Sequence, residues 1–83
     1  MKVTVRYFAS LREALGSGEP LDIAAGDTVA SVRDALLRRS PVHAEALDRT
    51  RALRCALNQT LCDESAVLAQ GAEVAFFPPV TGG

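Results

Sequence analysis

The first residues of the chain alternate between hydrophobic and polar side chains. The two sets would fall on opposite faces of an extended segment: Val3, Val5 and Tyr7 on one, Lys2, Thr4 and Arg6 on the other. A period of two is typical of a β-strand that is buried on one face only. The alternation therefore predicts a first strand over residues 2–7.

A short helix is predicted over residues 8–16, because Phe8, Leu11 and Leu15 recur at i, i+3 and i+7. Gly16 follows the last of them and suits a left-handed helix cap. Residues 17–20 (SGEP) have the composition of a turn. A second strand is predicted directly after this turn, over residues 21–23.

The principal helix is predicted to begin at Val29, after an N-cap at Asp27 or Thr28. No Glu or Gln lies three residues beyond either cap, so no capping box is expected. The stripe of apolar residues is expected to face the core, and the charged and polar residues are expected to face water. The apolar set is Val29, Val32, Ala35, Leu36 and Leu37, and the polar set is Ser31, Arg33, Asp34 and Arg38.

Proline ends this helix at Ser40-Pro41, since the residue before a proline disfavours the helical region. One more helical turn is predicted within residues 44–50. Alternation then returns over residues 53–58, a turn is predicted at 58–60, and a last strand at 73–77. The segment between that turn and the last strand is expected to be irregular.

Strands therefore lie before and after one principal helix. This order predicts an α+β fold of the β-grasp (ubiquitin-like) kind, with a mixed sheet of about five strands and short extra helices. Residues 1–77 are predicted to form the domain, and residues 78–83 a flexible tail that ends in Gly-Gly. Pro78 and Pro79 are expected to end the last strand, because neither can donate to a ladder.

Composition narrows the function classes. The chain has 83 residues, is 48% hydrophobic and has a formal net charge of −1. A nucleic-acid or anionic-membrane partner is not indicated by this charge. No apolar run is long enough for a bilayer span and no signal-peptide pattern opens the chain, so a cytoplasmic location is expected.

Few side chains suggest chemistry. His43, the only histidine, is expected in a surface loop, and a zinc site is not expected because the ligands are too few. Cys55 is in phase with two leucines and is expected to be a core thiol. Cys62 is expected to be more exposed, with no basic neighbour to activate it. No catalytic machinery is expected in this polypeptide.

The C-terminal residues are different. Pro78-Pro79 favours an extended path that carries the following residues away from the sheet. The four residues beyond can reach about 13–14 Å. Gly82 and Gly83 have no side chains, so they can pass through a narrow channel that excludes other residues. A frayed end would also account for this pair alone.

Three segments resemble the small, sulfur-carrying subunit family of molybdopterin synthase. They are VAFFPPVTGG at 74–83, ALNQ at 56–59 and VRYFASLRE at 5–13. The resemblance spans essentially the whole chain. The related thiamine-pathway carriers share the fold and the Gly-Gly end but tend to be shorter and to lack the FFPP run.

The resemblance implies that Gly83 carries the reacting carboxyl group. In the family, an adenylating enzyme of the ubiquitin-activating type uses ATP to make a glycyl adenylate, and a sulfur donor protein converts it to a thiocarboxylate (1-thioglycine). Sulfur then passes to cyclic pyranopterin monophosphate in the large subunit. The resemblance implies no cofactor bound by this chain, and a heterotetramer with the large subunit.

Roles for further residues follow from the same resemblance. Gly82, Thr81 and Val80 would insert into the large subunit. Phe8 and Phe77, with Pro78 and Pro79, would contact that partner; both phenylalanines are out of phase with the predicted core faces, although they can equally cap a core edge. A carrier for thiamine or another thiolated product, a ubiquitin-like modifier and an inert interaction module remain alternatives.

Overall fold

A computed structural model describes residues 1–79 of the chain. Five strands and three helices make up this part, in the order expected of a β-grasp fold. They are β1 (Lys2–Tyr7), α1 (Ser10–Leu15), β2 (Gly18–Asp22), α2 (Val29–Leu37), α3 (Pro41–Ala46), β3 (Arg54–Leu57), β4 (Thr60–Cys62) and β5 (Glu73–Phe77). The predicted α+β class with a mixed sheet is confirmed.

The strands form one sheet in the order β2-β1-β5-β3-β4. β1 and β5 are parallel neighbours at the centre, with Tyr7 opposite Phe76. The other neighbouring pairs are antiparallel. The alternating residues of β1 follow their predicted faces, since Val3, Val5 and Tyr7 are all buried. One face of the sheet therefore packs on the helices, and we call the other the open face.

The core lies between the helices and the inner face of the sheet. Its largest fully buried side chains come from β1, α2 and β5 and from Leu47, which follows α3. The largest are Tyr7, Phe76, Leu36, Leu47, Val3, Val5, Val29, Val32 and Val74. Within residues 1–79, no helix combines the length and the apolar character needed to cross a membrane.

Two expectations for the principal helix are wrong. Thr28 does form a capping box, with Ser31 in place of Glu or Gln: the Ser31 amide donates to Thr28 Oγ1 at 3.4 Å, and Ser31 Oγ accepts from the Thr28 amide at 3.3 Å. Arg33 does not face water, because its side chain is only 3% exposed. Its guanidinium donates to backbone carbonyls, and these acceptors make its burial possible.

Three element boundaries also differ from prediction. β2 begins at Gly18 and contains Pro20, which an edge strand tolerates. α1 begins at Ser10, so Phe8 precedes the helix. The third helix begins at Pro41 and not at residue 44, because proline fits the first position of a helix and Ser40 Oγ caps the His43 amide at 3.1 Å.

The sequence pattern did not predict β4. Asn58 and Gln59 both have positive φ, 50° and 69°, which is the backbone of a tight two-residue hairpin. The predicted turn at this place is therefore confirmed, but its last residue, Thr60, already belongs to the returning strand. With only three residues, β4 is too short to show alternation.

Candidate functional site

A cleft of about 440 Å³ opens on the open face of the sheet where β1 and β5 end. Phe8 and Phe77 line it from these neighbouring strands, one residue beyond the Tyr7–Phe76 pair. Phe8 is 40% exposed and Phe77 is half-buried. The two phenylalanines are thus brought together on the face away from the core.

The backbone at Ala9 separates Phe8 from the core. Ala9 has a φ of 55°, a conformation that costs an L-residue energy, and it lines the cleft itself. The turn leaves Phe8 on the open face while Leu11, three residues later, is buried at 3% exposure. This local strain is therefore located where an aromatic side chain is presented to solvent.

Small side chains form the floor of the cleft. Ala56 and Ala75 are register partners on β3 and β5, and both line it. Leu61, the partner of Ala56 on β4, extends the apolar surface and is 61% exposed. None of these three residues was predicted to belong to a site, and Leu61 lies on β4, which the sequence pattern did not predict. Ala56 and Ala75 could have been found from their phase, since each lies next to residues of the core face in a predicted strand.

Pro78 and Pro79 continue from β5 at the edge of the cleft. Pro78 lines the cleft, and both prolines line a second groove beside Arg51 and Leu53. Pro79 is exposed. The predicted tail residues Val80, Thr81, Gly82 and Gly83 lie outside the described residues, so their roles and the division between domain and tail stay predictions.

Arg33 fastens the segment before β3 to the principal helix. Its guanidinium donates to the carbonyls of Leu47 at 2.8 Å, Asp48 at 2.6 Å and Arg51 at 3.2 Å. It also forms an ion pair with Glu64 at 2.8 Å. Arg33 thereby positions residues 47–51, which lead into β3 and the groove beside the prolines.

A polar cluster joins β1, β2 and α3 on the inner side of the sheet. The Tyr7 hydroxyl donates to Glu19 Oε2 at 2.6 Å, and His43 Nε2 and Arg39 Nε contact the same carboxylate at 2.8 and 3.1 Å. Ser40 Oγ lies 2.7 Å from His43 Nδ1. His43 is therefore a helical, half-buried residue, and the expectation of a surface loop is wrong.

The cluster shifts the pKa values of two of its groups. Burial, then the hydrogen bond to Glu19 and the negative charge of Glu19, raise the pKa of Tyr7 far above its ordinary value of 10. Burial alone would raise the pKa of Glu19, but the hydrogen bonds from Tyr7 and His43 and the charge of Arg39 hold it below 4.5. These shifts are those of a structural carboxylate that remains ionised.

The two cysteines face each other across β3 and β4. Cys55 is buried, Cys62 is half-buried, and their sulfurs are 3.8 Å apart without a disulfide. Burial, followed by the hydrogen bond with Cys62, raises the pKa of Cys55 to about 12. Both thiols point to the core side, as predicted for Cys55. Among residues 1–79, no group of three or more His, Cys, Asp or Glu side chains is placed to hold a metal ion.

Comparison with known proteins places these features in context. The family model described as the ThiS family matches residues 5–83. A protein of Escherichia coli named molybdopterin synthase sulfur carrier subunit is 41% identical over 81 residues, which cover 98% of this chain and 99% of that protein.

Two solved structures share the fold. SAMP1 from Haloferax volcanii superimposes with a TM-score of 0.78 at 28% identity, and the match covers 100% of both chains. A chain from the Helicobacter pylori complex of subunits 1 and 2 of molybdopterin-converting factor gives a TM-score of 0.70 at 24% identity, again over 100% of both chains. At that identity the second likeness supports the fold alone.

Proposed function

The chain belongs to the ThiS family, and on that premise we propose that it is the sulfur carrier subunit of a molybdopterin synthase. The observation that carries the proposal is the full-length similarity, at 41% identity, to a curated sulfur carrier subunit. Gly83 then supplies the reacting carboxylate. The described residues form the folded domain that precedes the C-terminal segment, and they provide an apolar surface for partners.

Adenylation and thiolation change the terminal carboxyl group in two balanced steps. A carboxylate oxygen of Gly83 attacks the α-phosphorus of ATP in the adenylating enzyme, and pyrophosphate leaves. The terminal sulfur of a persulfide on the donor protein then attacks the acyl carbon, and AMP leaves with the original oxygen. A thiol cleaves the S–S bond of the acyl disulfide, which releases the thiocarboxylate and leaves a disulfide on the thiol side. The resulting thiocarboxylate is an ionised sulfur nucleophile, as thiolates are. Two such carriers supply the two sulfur atoms of the dithiolene.

We assign both steps to partner proteins, in keeping with the similarity to a sulfur carrier subunit. One cluster of ionisable side chains, Tyr7, Glu19 and His43, lies on the inner side of the sheet, where its members bond with one another. The apolar cleft and the two prolines lie at the other side, beside the point where the chain leaves β5. The cleft is the surface we assign to the large subunit, with residues 80–83 reaching that partner's active site.

Substitution of Phe8 tests the assigned surface. Phe8→Ala removes an exposed aromatic side chain that lines the cleft, so we expect the affinity for the large synthase subunit to fall by about tenfold or more. Val42→Ala is the matched control, because Val42 is also exposed, at 52%, but lies on α3, at the other side of the sheet. Titration calorimetry with the large subunit from the same organism gives both values. Equal losses in the two variants would contradict the docking assignment.

A second candidate function is ubiquitin-like modification of proteins. It is favoured by the full-length likeness to SAMP1 from Haloferax volcanii. A second similar structure from the same organism is named small archaeal modifier protein 1. Both functions begin with the adenylated Gly83 and differ in the nucleophile that follows. Isopeptide-linked conjugates between Gly83 and lysine side chains in the native cells would support the modifier. If the chain is instead a carrier for thiamine, its sulfur should be recovered in thiamine and not in molybdopterin.

A further inference from the structure

The charges on the open face of the sheet are unevenly placed. Arg6 lies opposite Ala75 and Arg54 lies opposite Phe77, so the two arginines flank β5 from its two neighbouring strands. Both side chains are exposed, and both share the face that carries the cleft. An apolar floor with a cation on each side is therefore built into the register of three strands.

Gly18 is the register partner of Arg6 on β2 and lies close to its side chain. A Cβ atom at Gly18 would lie 3.3 Å from Arg6 Cδ and only 2.3 Å from the Val5 carbonyl oxygen. The absence of a side chain at Gly18 thus leaves room for the aliphatic part of Arg6 to cross over β2. In the strand order, Arg6 lies on the β1 side of β5 and Arg54 lies on the β3 side.

Neither arginine is neutralised within residues 1–79. The ion pairs of this part of the chain use Arg33, Arg39 and Arg49, together with His43. Asp63, one residue past β4, is the acidic residue next in register to Arg54, and no ion pair joins them in the described residues.

The opposite end of the same face has a different charge. There Lys2 is opposite Asp22 in the register, and Glu73 is opposite Thr4. Two positive side chains therefore stand near the prolines, while the other end carries one positive and two negative side chains, of which Glu73 also lines the cleft. The charge on the open face is therefore asymmetric, and its positive end lies beside the point where the chain leaves β5.

We propose that Arg6 and Arg54 select the large synthase subunit by pairing with two carboxylates that flank an apolar side chain entering the cleft. This inference rests on the proposed function. Arginine suits the role because its planar guanidinium binds a carboxylate through two hydrogen bonds. Charges at the rim of an apolar interface accelerate the encounter and reject partners of the wrong charge. Apolar burial in the cleft supplies affinity, and the two arginines supply orientation.

Association kinetics with the large subunit test the inference. We expect Arg54→Glu and Arg6→Glu to lower the association rate about tenfold or more at low salt, because rim charges act mainly on that rate. The loss should shrink in high salt, where the screening length falls to about 3 Å at 1 M. Arg54→Gln should give a smaller loss, and Arg54→Lys should retain most of the rate.

Arg38→Glu is the matched control, since Arg38 is exposed at the end of α2 and the change in charge is identical. A wild-type chain that associates normally, with Arg54→Glu and Arg6→Glu indistinguishable from Arg38→Glu at every salt concentration, would overturn the inference and leave the proposed function intact. A wild-type chain that does not associate with the large subunit would overturn the proposed function itself. Thermal unfolding of each variant verifies that the fold is retained.

Discussion

At the scale of single residues, Arg33 differs most from its sequence-based prediction. Its charge suggested a residue in water, whereas its place in the helix is the i+4 position of a stripe that begins at Val29 and includes Val32 and Leu36. Helical phase therefore outweighed residue type at this position. The carbonyls that make its burial possible lie 14 to 18 residues further along the chain, so no local pattern could indicate them.

Replacing Arg33 tests this account of its role. Arg33→Met retains the length of the side chain but removes its hydrogen bonds to three carbonyls and its ion pair with Glu64, so we expect the free energy of unfolding to fall by about 2–4 kcal/mol. Arg38→Met, on the exposed end of the same helix, should change it by less than about 0.5 kcal/mol. Urea denaturation measures both values. Similar small effects would show that the buried guanidinium contributes little.

Candidate site residues were predictable where phase alone decided their faces. Phe8 and Phe77 are out of phase with the core residues of their strands, which left a partner-binding surface and a capped core edge both open; the structure places them on the open face. The cleft between them was not predictable. It depends on the positive φ of Ala9 and on the pairing of Ala56 with Ala75, which are tertiary features.

At the scale of elements, proline and turn residues account for the errors in boundaries. Pro20 suggested a turn, but β2 is an edge strand whose outer amides need no partner in the sheet. Pro41 suggested a break, and it is also the first residue of the next helix. A proline can therefore mark a turn or lie in an edge strand, and it can end one helix or begin the next. Sheet order decides the first case and capping geometry the second.

The Glu19 cluster makes the packing of β2 against α3 dependent on pH. The pKa of Glu19 is about 4.5 in the unfolded chain and lower in the folded one, so its contribution to stability is complete above pH 4.5. That contribution is lost as the pH falls from 4.5 through the folded pKa. Glu19→Gln should therefore flatten the fall of stability below pH 4.5.

Urea denaturation between pH 3 and pH 7 measures this dependence in steps of about one pH unit. Glu13→Gln serves as the control, because Glu13 is exposed and is not joined to the cluster. It should leave the acid dependence unchanged. A Glu19→Gln variant whose stability falls with pH as steeply as the wild type would contradict the prediction.

At the scale of the whole molecule, the order of strands about one principal helix was enough to predict the fold. Parallel β1 and β5 at the centre bring the opening strand beside the last one, and so place Phe8 next to Phe77. The partner was not predictable from this order, because many functions share one fold. Its assignment depends on the family and on the cleft, the prolines and the arginines at one end of the sheet.

In the same arrangement, the residues that stabilise the fold and the residues assigned to partner binding lie on different faces of the sheet. Core residues lie between the inner face of the sheet and the helices, while the surface assigned to partners lies on the open face. The described core is formed within residues 1–79, so we expect a form lacking Gly83 to unfold at the same urea concentration as the wild type. It is therefore a suitable control for any test of the carboxyl group.

The intact mass of the chain taken from its own cells tests the central claim most directly. With the adenylating enzyme and the sulfur donor present, we expect a form heavier than the unmodified chain by the difference between one sulfur and one oxygen atom. The form lacking Gly83 should show no such species. A chain whose every molecule keeps an unmodified carboxylate, with both enzymes and ATP supplied, would contradict the account.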